Sequence, residues 1–189
     1  MRIIAGTARG ATIAAPGGLA TRPMTERVRG AIFNILREEV IDAAVLDLFA
    51  GSGSLGLEAL SRGAASCVFV ERSRSAARVL QGNIDALGFG DRARTLVADA
   101  LRLPCGLQEE GFDLVFVDPP YGLARRLDVQ SQIAGLIRNL FSGRMLEERG
   151  AVVLRTPRRA GPLWLPETVA VADLREYGAD LVRFLRRSN

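Results

Sequence analysis

The chain has 189 residues, 48% hydrophobic and 24% charged, a composition typical of a single folded domain and not of a disordered segment. It contains two cysteines, no histidine and no lysine, which excludes imidazole catalysis, a zinc site and Schiff-base chemistry, so we expect no metal. No apolar run reaches the ~18 residues of a membrane span and no secretory signal is recognisable, so we expect a cytoplasmic protein, and a monomer.

We predict a single domain over residues 1–189, and its first element, residues 1–24, is a basic arm. Glycines and prolines interrupt it, which predicts an extended segment with a short strand at Met1–Ala5. Residues 1–37 hold six arginines and one acid, whereas residues 38–189 hold 19 arginines and 20 acids. This concentration of charge indicates an anionic partner, with nucleic acid first. The candidate contacts are Arg2, Arg9, Arg22, Arg27 and Arg29.

Beyond the arm, the hydrophobic pattern alternates between helices and strands. A helix is predicted from a cap at Thr25 to near Val40. The predicted strands are Ala44–Phe49, Ser66–Glu71, Ala93–Ala98, Phe112–Asp118 and Ala151–Arg155, and the further helices are Ser54–Arg62, Ser75–Leu87 and Asp128–Phe141. Thr168–Glu176 and Asp180–Arg186 form a predicted closing hairpin. The pattern therefore predicts an α/β fold of the Rossmann-like kind: a mostly parallel seven-stranded sheet, helices on both faces and an antiparallel C-terminal hairpin.

A glycine-rich turn follows the first of these strands. Gly51, Gly53 and Gly56 give the pattern G-x-G-x-x-G between a strand and a helix. Such glycines let the backbone turn tightly and approach a ligand closely. The pattern fits dinucleotide binding about as well as adenosine binding, so it leaves both open.

Two acids at neighbouring strand ends narrow the choice of ligand. Glu71 ends the second strand, 20 residues after Gly51, where a carboxylate can accept both hydroxyls of a ribose. Asp99 follows the third strand, where an acceptor beside a backbone N–H could read an adenine edge. Together they favour an adenosine site at the carboxyl ends of the strands.

The fourth strand is followed directly by Asp118-Pro119-Pro120-Tyr121. Two prolines fix the backbone and supply no N–H, so the Asp118 carboxylate and the Pro119 carbonyl can converge as acceptors. Tyr121 would add a flat ring beside them. Two acceptors and a stacking surface suit the planar exocyclic amine of a nucleobase.

These motifs make the chain resemble the class I S-adenosylmethionine-dependent methyltransferases that modify exocyclic base amines. The segments Arg2–Gly6, Thr21–Pro23, Arg27–Leu36 and Leu57–Ala64 are further similar to the bacterial 16S ribosomal RNA guanine-N2 methyltransferase family RsmD. The resemblance implies methylation of N2 of guanine 966 in the small-subunit RNA, naked or partly assembled into the ribosomal subunit, and RNA contacts for the basic arm. It implies catalytic roles for Asp118, Pro119, Pro120 and Tyr121. It implies cofactor contacts for Asp47, Phe49, Ala50, Gly51, Ser52, Gly53, Glu71, Arg72, Asp99 and Ala100.

Two other functions share parts of this pattern. A DNA adenine-N6 methyltransferase would bind its target amine with the same Pro-Pro-Tyr motif, but 189 residues leave no room for a separate target-recognition region. A nicotinamide-dependent oxidoreductase would explain the glycine turn and Glu71, but not Asp118–Tyr121 or the basic arm. Methylation of a guanine amine in ribosomal RNA therefore explains the largest number of these features.

Overall fold

The computed structural model describes residues 1–17, 24–103, 106–107, 110–124, 126–143, 145–160 and 163–188. Seven strands form one sheet in the order β3-β2-β1-β4-β5-β7-β6. The strands are β1 Ala44–Leu48, β2 Ser66–Glu71, β3 Ala93–Val97, β4 Phe112–Val117, β5 Leu146–Pro157, β6 Val169–Tyr177 and β7 Asp180–Arg187. The α-helices are α1 Glu26–Leu36, α2 Ser54–Ser61, α3 Arg74–Ala86, α4 Tyr121–Ala124 and α5 Leu127–Ser142.

The sheet has the predicted topology. Strands β1 to β5 pair in parallel, and β7 runs antiparallel to both β5 and β6. The carboxyl ends of β1, β2, β3 and β4 therefore meet at one edge of the sheet, the place where open α/β sheets bind ligands. The predicted α/β class, the mostly parallel order and the closing hairpin are confirmed.

Most element boundaries fall within one or two residues of the prediction, and three differ in kind. The first helix ends at Leu36 and continues as a 3₁₀ turn over Arg37–Val40. Strand β5 begins five residues earlier than expected, because Leu146 pairs with Phe112 before a register shift in the β4–β5 ladder. The short helix α4 directly after Pro120 was not predicted from the sequence.

The helices cover both faces of the sheet, and each face has its own core. On β4, Leu114 and Phe116 point to the face covered by α1, α2 and α3, whereas Val115 and Val117 point to the face covered by α5. This alternation follows from the two-residue period of a strand. Because both faces are buried, β4 is apolar at nearly every position, as a central parallel strand should be.

The N-terminal segment is folded onto the domain, which corrects the prediction of an extended arm. Ile3 and Ile13 are 2% and 1% exposed and belong to the core on the α1 side of the sheet. A single antiparallel bridge joins Arg2 to Thr12 in place of the predicted strand. The backbone N–H groups of Ile4 and Ala5 donate to the Glu58 carboxylate on α2, at 2.8 and 3.1 Å. These buried side chains and hydrogen bonds make residues 1–17 part of the domain.

Within the described ranges, no helix is both long and apolar enough to cross a membrane.

Candidate cofactor and substrate cleft

A cleft of about 270 Å³ opens at the carboxyl ends of β1, β2, β3 and β4. The glycine turn after β1 forms its floor, and Glu71, Asp99, Asp118 and Tyr121 line its sides. Of the residues predicted to contact cofactor, the cleft brings together Phe49, Ala50, Gly51, Ser52, Glu71, Arg72, Asp99 and Ala100. The parallel topology thus gathers acids that are far apart in sequence.

The glycine turn takes its shape from positive φ angles. Gly51 and Gly53 have φ of 56° and 80°, which glycine adopts without steric cost. A Cβ at Gly53 would lie 2.4 Å from the Leu80 side chain, and one at Gly56 would lie 2.3 Å from Phe69. The second and third glycines therefore serve close packing of the turn and of α2 against their neighbours. Gly51 is the one of the three that lines the cleft.

The predicted cofactor contacts of Asp47 and Gly53 stay predictions. In the described part of the chain, neither residue lines the cleft. Asp47 is 2% exposed, and its Oδ2 accepts a hydrogen bond from the Gly56 N–H at 2.9 Å. This bond connects strand β1 to the start of α2 and stabilises the glycine turn between them. Burial raises the pKa of Asp47 to about 7, opposed by the Gly56 hydrogen bond and helped by the charges of Asp118 and Glu71.

Glu71 and Asp99 are held in place by backbone N–H groups. Glu71 accepts from Gly51 N at 2.9 Å and from Ser73 N at 2.7 Å, which ties the end of β2 to the glycine turn. Asp99 Oδ1 accepts from Leu101 N at 3.0 Å. Both carboxylates are partly exposed to the cleft, so they can accept further hydrogen bonds from a ligand.

The segment after β4 forms the opposite wall. Asp118, Pro120 and Tyr121 line the cleft, whereas the Pro119 ring is buried and is not among the described lining residues. Burial raises the pKa of Asp118, the Arg155 ion pair opposes this, and the charge of Asp180 adds to it. The predicted role of the Pro119 carbonyl as an acceptor stays a prediction.

Three polar residues near the cleft were missed by the sequence reasoning. Asn83 on α3 is 5% exposed; its amide donates to the carbonyls of Ala14 and Ser52, and its Oδ1 accepts from Ala14 N. It therefore joins the N-terminal segment to the glycine turn. Arg155 and Asp180 form ion pairs beside Asp118. Arg155 directly follows the apolar run 151–154, which is a sequence signal, whereas Asn83 and Asp180 stand among polar residues and glycines and give none.

The predicted RNA-contacting arginines divide into three groups. Arg2, Arg9 and Arg27 are exposed. Arg29 is 0% exposed and its Nε lies 3.5 Å from Glu58 Oε2, so the prediction that it contacts RNA is wrong. Arg22 lies outside the described residues.

The cleft has the donors and acceptors that an adenosine-containing cofactor needs. A Cβ at Gly51 would meet only the Phe49 carbonyl, 4.0 Å away, so the turn offers open space beside bare backbone. Glu71 and Asp99 supply carboxylate acceptors at successive strand ends. The described residues contain no group of three or more metal-ligating side chains. This fold and this site define a class I S-adenosylmethionine-dependent methyltransferase.

Comparison with known proteins identifies the family. The model of the family described as "Conserved hypothetical protein 95" matches residues 1–186, so the chain belongs to that family, and the resemblance to RsmD is confirmed. YlbH of Bacillus subtilis (strain 168) is 37% identical over 171 residues, 89% of this chain and 88% of YlbH.

One curated sequence and one solved structure from Escherichia coli extend the comparison. The "Ribosomal RNA small subunit methyltransferase D" of strain K12 is 42% identical over 123 residues, which span 64% of this chain and 60% of that protein. The solved structure of yhhF is 33% identical, with a TM-score of 0.83, and covers 99% of this chain and 97% of its own. The likeness of fold thus extends over almost the whole of both chains.

Proposed function

We propose that the protein transfers the methyl group of S-adenosylmethionine to the exocyclic N2 amine of a guanine in small-subunit ribosomal RNA. The observation that carries this proposal is the position of Asp118 and Tyr121 in the same cleft as Glu71 and Asp99. An amine-binding wall then faces a cofactor-binding wall across one cavity. The name of the E. coli K12 relative, a small-subunit ribosomal RNA methyltransferase, supports the choice of RNA.

The chemistry needs positioning more than a strong base. Held by Gly51, Glu71 and Asp99, S-adenosylmethionine would supply an electrophilic methyl group, and the neutral thioether would be the leaving group. The guanine amine is a weak nucleophile, because its lone pair is delocalised into the ring. Asp118 and the Pro119 carbonyl accept hydrogen bonds from the two N–H groups of this amine. These bonds orient the nitrogen so that its lone pair points at the methyl group.

Asp118 also stabilises the charge that develops on the amine nitrogen. Its carboxylate is 17% exposed, so water screens this interaction only weakly. After transfer, the surplus proton leaves the nitrogen for Asp118 or for water. Tyr121 stacks on the base and holds its plane. This mechanism requires no imidazole, in agreement with a sequence that contains no histidine.

The RNA backbone is proposed to lie along the exposed basic surface near the start of the chain. Arg2, Arg9 and Arg27 present guanidinium groups to solvent there. Met1, Ala15, Pro16 and Met24 line the cleft, so the N-terminal segment borders the site where the base would enter. Planar, forked arginine donors suit phosphate oxygens. The protein acts in this proposal as a cytoplasmic monomer.

The experiment compares ribosomal RNA from cells with and without the gene. Small-subunit RNA is cleaved by nuclease and mapped by mass, and purified protein is then incubated with radiolabelled S-adenosylmethionine and RNA from the deletion strain. We expect one N2-methylguanosine to disappear on deletion and to return in vitro. Running the reaction with naked RNA and with intact small subunits identifies the substrate form. Methylation of adenine N6, or of DNA alone, would contradict the proposal.

A further inference from the structure

A compact cluster of charged and aromatic groups lies behind Asp118. Strand β5 neighbours β4 and carries Arg155 near its carboxyl end, and the antiparallel strand β7 begins there with Asp180. Arg155 Nε donates to Asp118 Oδ1 at 2.5 Å, and Arg155 Nη1 donates to Asp180 Oδ1 at 3.1 Å. The three side chains are 7%, 17% and 12% exposed. The sheet topology alone brings these residues together.

Tyr121 completes the cluster. Its hydroxyl donates to Asp180 Oδ1, and the Arg155 guanidinium lies 5.4 Å from the centre of its ring. Asp180 therefore holds both Arg155 and the ring that lines the cleft. Arg155 itself also lines the cleft, so the cluster reaches the place where the substrate amine would sit.

Stability alone gives a weak reason for such a cluster. Removing charges from water is costly, and apolar side chains of similar volume often stabilise a core as well or better. The contact with Arg155 instead defines the chemistry of Asp118. It occupies Oδ1, so Oδ2 remains as the oxygen that can accept a substrate N–H, and it fixes the plane of the carboxylate.

We propose that Arg155 and Asp180 are positioning residues for methyl transfer. Arg155 keeps the Asp118 carboxylate ionised and oriented, and Asp180 holds the side chains of Arg155 and Tyr121 in place. This inference rests on the proposed function, because it assumes that Asp118 accepts an amine N–H of the substrate. It assigns a role to two strand residues that act on the reacting amine through Asp118 and Tyr121.

The two residues act on Asp118 in opposite directions. Arg155 favours the ionised carboxylate, whereas the negative charge of Asp180 disfavours it. Among the described residues, Asp47 on β1 also interacts electrostatically with Asp118, whereas the Tyr121 hydroxyl on α4 bonds to Asp180. Replacing Arg155 or Asp180 should therefore shift the pH below which kcat falls, which is the acid limb of the pH profile. The two replacements should shift it in opposite directions.

The experiment measures methyl transfer to small ribosomal subunits from a deletion strain across the pH range, with kcat and KM determined separately. We expect Arg155→Gln to lower kcat about tenfold or more at neutral pH and to move the acid limb upward by roughly one pH unit, with the KM for S-adenosylmethionine nearly unchanged. Asp180→Asn keeps an acceptor for Arg155 and Tyr121 and should move the limb downward. Arg155→Lys should recover part of the limb position.

Arg183→Gln is the matched control. Arg183 lies on the same strand as Asp180 and bonds to the Thr156 side chain at 2.8 Å, beside Arg155 but without contact to Asp118. Its acid limb should coincide with that of the wild type.

An unmoved limb in Arg155→Gln, or a shift in the same direction for both charge variants, would overturn the inference. If Arg155→Gln does not fold, the nearly isosteric Asp180→Asn decides alone by the direction of its shift. Absence of transfer by the wild type would instead overturn the proposed function.

Discussion

Arg29 and Glu58 form an ion pair that is sealed from solvent, with both side chains 0% exposed and Arg29 Nε 3.5 Å from Glu58 Oε2. Arg29 Nη2 also donates to the Arg2 carbonyl, and Glu58 accepts the N–H groups of Ile4 and Ala5. The pair thus joins α1, α2 and the N-terminal segment. Because both side chains are buried, the Arg29 charge is not presented to a ligand.

Replacing Arg29 should therefore destabilise the protein strongly. Arg29→Met leaves a buried carboxylate with one of its two cationic partners, which costs about 3–5 kcal/mol in free energy of unfolding. Arg27→Met, an exposed position on the same helix, should change it by less than ~0.5 kcal/mol. Urea unfolding of both variants checks this. Equal losses for the two would show that removal of Arg29 leaves no uncompensated charge on Glu58.

The burial of Arg29 shows where sequence patterns stop being sufficient. Val28, Ile32 and Leu36 give α1 its apolar face, and the residue after Val28 reads as the edge of that face. Its partner Glu58 lies 29 residues away, in another helix, and only the packing of the two helices makes the pair. The number of arginines in residues 1–37 predicted an exposed Arg29, because a count of charges gives no information on which of them pair in the fold.

The candidate site was predictable to the extent that its residues occupy strand ends. Parallel strands place Gly51, Glu71, Asp99 and Asp118 at one sheet edge whatever the details of packing. Asp180, by contrast, reaches the site only through the antiparallel register of β7 against β5, which the hairpin sequence does not specify to a single residue.

Asp118 should be essential for transfer but not for cofactor binding. Asp118→Ala removes the acceptor of the substrate amine, so we expect turnover to fall by about 10³-fold or more, while S-adenosylmethionine affinity stays within a few fold. Asp118→Asn keeps an acceptor without the charge and should be intermediate. Turnover assays with calorimetric titration of S-adenosylmethionine separate the two effects. Normal turnover of Asp118→Ala would remove the basis of the mechanism.

Tyr121 should contribute through its ring and, to a smaller extent, through its hydroxyl. Base stacking on an aromatic side chain is worth roughly 1–3 kcal/mol, so Tyr121→Ala should reduce kcat/KM for RNA by about 10- to 100-fold. Tyr121→Phe keeps the ring but loses the bond to Asp180, and should lie between Ala and the wild type. Steady-state kinetics with RNA as the varied substrate test this order. Wild-type kinetics for Tyr121→Ala would exclude stacking.

RNA binding should depend on the exposed arginines of the N-terminal region. Deleting residues 1–20 does not test this cleanly, because Ile3 and Ile13 are core residues and Met1, Ala15 and Pro16 line the cleft. Arg9→Gln and Arg27→Gln keep the fold, and each should weaken RNA binding and lower the slope of its salt dependence by about 1. Arg175→Gln, an exposed position on β6, is the control. Unchanged slopes for Arg9 and Arg27 would place the RNA elsewhere.

Asp47 should make the stability of the protein depend on pH. Its pKa rises from 3.8 in the unfolded chain to about 7 in the buried turn, so the folded state retains a proton that the unfolded state releases. The resulting stabilisation is complete below pH ~4 and is lost as the pH rises through about 7, amounting to at most ~4 kcal/mol. Asp47→Asn keeps an acceptor for the Gly56 N–H but cannot ionise. The variant should therefore gain stability relative to the wild type as the pH is raised, which urea unfolding at both ends of this range measures. A constant difference between the two proteins would show that Asp47 has the same pKa in the folded and the unfolded state.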